Sequence, residues 1–123
     1  MRIASESLRQ VADMLDEEQV ARLIDHTELK PHVLRKKIRS LCDEADTHSF
    51  ATVCVNSCWV REASNYLRSK SSRVGIASVV GFPLGQMSTT SKGFETSDAI
   101  ARGATEVDMV INVGNVREMS ISS

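Results

Sequence analysis

Apolar and polar residues alternate along this chain in two rhythms, and the order of those rhythms is informative. Residues 5–15 place Leu8, Val11, Ala12 and Leu15 at i, i+3, i+4 and i+7, the spacing of an amphipathic helix. Asp16 stands where it can cap a second short helix opening with Glu17-Glu18, whose charges suit a helix N-terminus. Residues 21–27 read as a short strand, and Lys30-Pro31 closes it, because a residue before proline avoids the helical region. Leu34, Ile38, Leu41, Cys42 and Ala45 then mark one face of a helix over 32–48. Phe50 to Asn56 is apolar and β-branched, a strand. Val60, Ala63 and Leu67 face inward from a helix over 57–70, and Val74 to Phe82 forms a long apolar strand. Pro83, Gly85 and the Ser/Thr cluster at 88–91 predict a loop and a helix start. That helix runs to about Arg102, with Gly103 as its stop. Glu106 to Val113 is a fourth strand, and the tail from Gly114 reads as loop.

The sum is β-α-β-α-β-α-β behind a short helical preface, the pattern of a parallel sheet. Right-handed crossovers leave two architectures: an open doubly wound sheet, or part of a (β/α)₈ barrel. No internal repeat, low-complexity segment or interdomain linker interrupts the pattern.

The strands carry too many polar residues for a sheet covered on both faces. Successive side chains point to opposite sides. Asp25 and Thr27 therefore share a side, as do Thr52, Cys54 and Asn56, and likewise Glu106, Asp108 and Asn112. Val107, Met109, Ile111 and Val113 point the other way. A barrel explains both sides, since helices cover its outside and polar residues collect near its C-terminal mouth. An open sheet binding a small phosphorylated ligand is the less favoured architecture for the same reason. Asp108, between Val107 and Met109, is the leading acid–base candidate, because a carboxylate in a buried strand has an adjustable proton affinity. The plain alternative is an ion pair with a lysine inside the barrel.

Composition narrows the function classes. Hydrophobic residues make up 41% and charged residues 25%, as in a globular protein. A net charge of −1 gives no electrostatic reason to bind nucleic acid or an anionic membrane. No run approaches the roughly 20 apolar residues of a membrane helix, and the start has no apolar signal core, so a cytoplasmic location is expected. Cys42, Cys54 and Cys58 read as free thiols, because no histidine or second cysteine pair completes a metal site. His26 falls out of phase with Asp25 and Thr27 and is expected to pack on a helix, while His32 and His48 sit at helix ends. Lys36, Lys37, Lys70 and Lys92 read as surface charges. Gly81-Phe82-Pro83-Leu84-Gly85 reads as a tight turn after a strand, lacking the glycine and lysine spacing of a phosphate loop.

Four segments, in order, carry a resemblance. They are residues 23–31 (LIDHTELKP), 53–56 (VCVN), 80–85 (VGFPLG) and 103–112 (GATEVDMVIN). Together they are similar to the deoxyribose-phosphate aldolase family along roughly residues 20–115. The resemblance implies a (β/α)₈ barrel of which this chain holds the first four β/α units. Residues 1–19 are then a helical preface, 20–115 the N-terminal half of the barrel and 116–123 a divergent tail. It implies reversible cleavage of 2-deoxyribose 5-phosphate to acetaldehyde and glyceraldehyde 3-phosphate through a lysine Schiff base, in deoxyribonucleotide catabolism, with no metal or organic cofactor. Asp108 falls at the family's proton donor and acceptor; Asp25, Thr27 and Cys54 fall at positions lining the substrate. The family's Schiff-base lysine, on the sixth strand, and its phosphate loops lie beyond these residues, since a full barrel takes about 250. The chain alone is therefore expected to lack substantial aldolase activity. A half barrel also exposes two sheet edges, which favours homo-oligomers or a partner chain, including as a non-catalytic remnant.

Overall fold

The computed structural model describes residues 2–122. Met1 and Ser123, the outermost positions of the expected preface and tail, lie outside the described residues, as does the side chain of Ala12. Two helices lead: α1 (Arg2–Met14) and α2 (Glu17–Ala21). Then come β1 (Asp25–Glu28), α3 (Arg35–His48), β2 (Thr52–Val55), a 3₁₀ turn at Ser57–Trp59 and α4 (Val60–Ser69). They are followed by β3 (Gly75–Val80), α5 (Thr89–Arg102), β4 (Glu106–Met109) and α6 (Val113–Ser122).

The four strands form one parallel sheet in the order β1-β2-β3-β4. This order decides between the two architectures. When each strand lies beside the previous one and every crossover is right-handed, all the helices fall on one face. One core holds Ile38, Leu41, Cys42 and Ala45 of α3, Val60, Ala63 and Leu67 of α4, and Ala99 of α5, against Val53, Val55 and Ile76 of the sheet. That is the winding of a barrel, not of a doubly wound sheet. Among the described residues, the opposite face carries a small cluster of Cys54, Ala77 and Val79, with Leu29 beside it.

Local signals explain most element boundaries. Asp16 accepts from the Gln19 amide at 2.7 Å, while the Gln19 side chain accepts from the Asp16 amide at 3.0 Å, a reciprocal cap that starts α2. The same cap corrects the first predicted strand. Turns continue through Leu23 and Ile24, whose amides bond the carbonyls of Val20 and Ala21, so β1 begins only at Asp25. Gly103 ends α5 at φ +119, a conformation that costs a glycine little. The tail is a second correction. Asn112 does not extend β4; its side chain accepts from the Asn115 amide at 3.1 Å and its carbonyl from Val116 at 3.1 Å, which opens α6. Residues 115 and 116 lie within that helix. Helix α1 carries Leu8 and Val11 of the predicted stripe, both exposed, and ends at Met14, so Leu15 lies beyond it. Leu34 is exposed too, at the N-cap of α3.

His26 packs as expected, its Nε2 lying 2.6 Å from Glu44 on α3 and its ring on Phe50. His32 and His48 are exposed. Lys70 is not simply solvated: it bonds Asp43, which also accepts from Tyr66 at 2.7 Å, and so ties α3 to α4. No helix among the described residues is long and apolar enough to cross a membrane.

Among the described residues, three carboxyls are held below their ordinary values. Hydrogen bonds from Lys70 and then Tyr66 lower Asp43, and one from His26 lowers Glu44. Burial raises Glu28, but the amide, charge and ammonium of Lys30 outweigh it. Groups with depressed folded values stabilise above their ordinary values of 3.8 and 4.5 and lose that contribution as pH falls below them. Thermal denaturation is therefore expected to show a falling Tm below about pH 4.5, with a smaller fall in Lys70→Met. Ile38→Ala, which empties a fully buried site, is expected to cost about 2–5 kcal/mol in denaturant unfolding.

Candidate active site

Because the ladders are in register, residues paired across strands share a face. Asp25, Thr52 and Gly75 form one row across the open face. Thr27, Cys54, Ala77 and Glu106 form the next, and Val79 with Asp108 the third. The open face therefore gathers every strand position singled out as a candidate. His26, Val53, Val55, Ile76, Val107 and Met109 take the other side.

Cys54 is the buried centre of this group, 4% exposed. Burial pushes its thiol up, and the carboxylates of Asp108 and Asp25 also raise it. Both candidate carboxylates thus act on one sulfur. Thr27 Oγ1 donates to the Asp25 carbonyl at 2.7 Å, which fixes its side chain on the strand. Asp25 is oriented by Thr52, whose Oγ1 donates to Oδ1 at 2.6 Å. Thr52 is itself only 2% exposed. Its hydroxyl does for Asp25 what a positioning residue does, yet only the register with Asp25 reveals it.

Asp108 differs from its expectation. The predicted desolvation is missing, because β4 is an edge strand and all four of its residues are exposed. Val107 and Met109, meant to lie under helices, are 41% and 44% exposed. Asp25 and Thr27 are exposed as well. The site is an open sheet surface here. Clefts form elsewhere, one of about 540 Å³ at the N-terminal strand ends around Leu15, Val20, Ile24 and Phe50.

No lysine projects from β1 to β4. Lys30 pairs with Glu28 at 3.4 Å, and Lys92 donates to the Val110 carbonyl at 2.9 Å rather than standing free on the surface. Among the described residues no three His, Cys, Asp or Glu side chains are grouped to hold a metal ion.

No protein-family model matches the chain. Deoxyribose-phosphate aldolase 1 of Bacillus licheniformis is 52% identical over 100 residues, covering 81% of this chain and 44% of that protein. The deoxyribose-phosphate aldolase of Bacillus subtilis is 50% identical over 99 residues, covering 80% and 44%. Among solved structures, the tetrameric deoxyribose phosphate aldolase of Aeropyrum pernix superposes with a TM-score of 0.79 at 28% identity, covering 94% of this chain and 53% of that one. The aldolase QR15 superposes at 0.74 with 33% identity, covering 84% and 45%. Over about four fifths of its length the chain is thus similar to deoxyribose-phosphate aldolases, at 50–52% identity to the two Bacillus proteins.

It spans about 44% of the length of the curated relatives it matches. The fold is accordingly four β/α units of the aldolase barrel. In such a barrel the face bearing Asp25, Cys54 and Asp108 is the inner one, which accounts for polar residues that an isolated sheet has no use for.

The site geometry predicts the order of thiol reactivity. The exposed Cys58 is expected to be alkylated at pH 8 at least tenfold faster than Cys54, whose thiol is buried and raised. Asp108→Asn is expected to speed Cys54 specifically, by removing one of the charges that disfavour its thiolate. Mass spectrometry of labelled peptides measures both, and an unchanged Cys54 rate in that variant would place Asp108 away from the sulfur.

Proposed function

We propose that this chain supplies the carboxylate-bearing half of an aldolase site for 2-deoxyribose 5-phosphate, with Asp108 as the acid–base group. The observation that carries it is the convergence of Asp25, Thr27 and Asp108 around Cys54 on one face of the sheet. The names of the relatives supply the substrate.

The chemistry needs two parts. An amine condenses with the aldehyde carbon of the open-chain sugar, losing water, and becomes an electron sink. A base then takes the proton of the C3 hydroxyl, the C2–C3 bond breaks, and glyceraldehyde 3-phosphate leaves. The carbon left behind is reprotonated, and hydrolysis frees acetaldehyde. A carboxylate such as Asp108 can accept the first proton and return the second. Asp25, held by Thr52, and Thr27 offer hydrogen bonds to the sugar, and Cys54 a close-packed wall. The amine is the part these four strands do not supply. The anionic sugar phosphate fits a cytoplasmic setting.

A second reading, a non-catalytic half barrel that associates with itself, is favoured by the exposed Val107, Met109 and Ile111 beside the β4 edge. The tetramer named for the Aeropyrum relative also suits self-association.

The 123-residue chain is expected to release no substantial acetaldehyde from 2-deoxyribose 5-phosphate. Cleavage is expected once it is combined with a separately produced segment holding the remaining strands of the Bacillus subtilis relative. Asp108→Asn should then lower the rate roughly 10²- to 10⁴-fold. Substantial cleavage by the chain alone, or a reconstituted rate indifferent to Asp108, would contradict the proposal.

A further inference from the structure

Helix α5 opens at Ser88, whose hydroxyl accepts from the Ser91 amide at 3.2 Å. Its early turns carry Lys92 and Glu95, three residues apart and so on one helical face. Both reach the C-terminal ends of strands. Glu95 Oε1 accepts from the Gly81 amide at 2.7 Å, just after β3. Its Oε2 accepts from Ser57 Oγ at 3.2 Å, just after β2. Lys92 Nζ donates to the Val110 carbonyl at 2.9 Å, just after β4. Asn56 Nδ2 extends the chain of contacts by donating to the Leu29 carbonyl at 3.2 Å, just after β1.

The turn between these ends is shaped for the same arrangement. Gly81 has φ +68, and a Cβ there would lie 2.8 Å from Met87 Sδ and 3.2 Å from Lys92 Cε. Gly85 has φ +65, and a Cβ there would lie 2.3 Å from the Ile111 carbonyl oxygen. Only glycine lets this loop lie against both α5 and the end of β4. Cys54 stands three residues before Ser57, and Asp108 two before Val110.

We propose that Glu95 is a positioning residue for the barrel mouth. It holds the chain leaving β2 against the chain leaving β3, and Lys92 carries the brace to the end of β4, so that Cys54 and Asp108 keep their places without a complete barrel around them. A carboxylate suits the position because its two oxygens accept from two different loops at once. A group that only stabilised the fold would act on the whole core; this one acts on the strand ends. The inference rests on the proposed active-site reading for its purpose, not for its geometry.

The test is amide hydrogen exchange and ¹H–¹⁵N spectra of the whole 123-residue chain. In Glu95→Ala, exchange at Gly81 is expected to rise about tenfold, the scale of one lost charge-assisted hydrogen bond. The Cys54 and Asp108 amide resonances should move, while Val53, Val55 and Ile76 keep their protection. Glu95→Gln, which can still bridge the two loops, is expected to restore Gly81 to within about threefold. Should Glu95→Ala not fold, Ser57→Ala serves instead, with Gly81 exchange expected to rise about threefold. An unmoved Gly81, a loss of protection spread evenly over the core, or a glutamine variant no better than alanine would each overturn the proposal. None of these readouts needs turnover, so failure of the aldolase assignment cannot be mistaken for failure of the brace.

Discussion

Side chains of a strand alternate between two faces, so one register fixes both faces of a sheet together. In this chain the β1–β2–β3–β4 register puts Val53, Val55 and Ile76 beneath three helices. By the same act it puts Asp25, Thr27, Cys54 and Asp108 on the opposite side. A slip of one residue would bury carboxylates against the helices and turn the valines to water. The desolvation cost of that exchange is what locks the candidate site in place. Folding and site formation are thus one event, driven by the apolar face and inherited by the polar one.

The inner face shows what such coupling leaves unfinished. Cys54, Ala77 and Val79 are buried there, yet Asp25, Thr27 and Asp108 are exposed. The central strands shelter one another, whereas β1 and β4 lie at the edges. Carboxylates at the edges are exposed to water; in a closed barrel the same groups would lie in a drier interior where charges act more strongly. The chain spans 44% of the Bacillus licheniformis relative and 53% of the Aeropyrum structure, whose fold is the barrel to which these edges correspond. Glu95 and Lys92 matter in this setting because they hold the strand ends together from the helix side, independent of what closes the inner face.

Much of this was legible in the sequence, for identifiable reasons. Period-two and helical rhythms marked the strands and the buried faces of α3 and α4, since burial of an apolar stripe is their main driving force. The phase of Asp25, Thr27, Cys54 and Asp108 was legible because alternation is geometric. Exposure was not: the burial expected for Asp108 required a neighbour to β4, and composition says nothing of which strand is at an edge. Two boundaries failed for local reasons. The cap at Asp16 carries helical turns to Ile24, and the Asn112 cap starts α6 in a segment whose Gly114 suggested a loop. Thr52, Glu95 and Lys92 escaped because their roles depend on partners 27, 14 and 18 residues away, distances at which sequence spacing has no meaning.

The register of β4 against β3 is the most direct test, since it alone brings Asp108 to the face of Cys54. Interstrand nuclear Overhauser contacts in the labelled chain measure it. Contacts that pair Val79 with Asp108 and Ala77 with Glu106 are predicted. Contacts pairing Val79 with Val107 or Met109 instead would mean a one-residue slip. Asp108 would then face the helices, and the account of the site would be wrong.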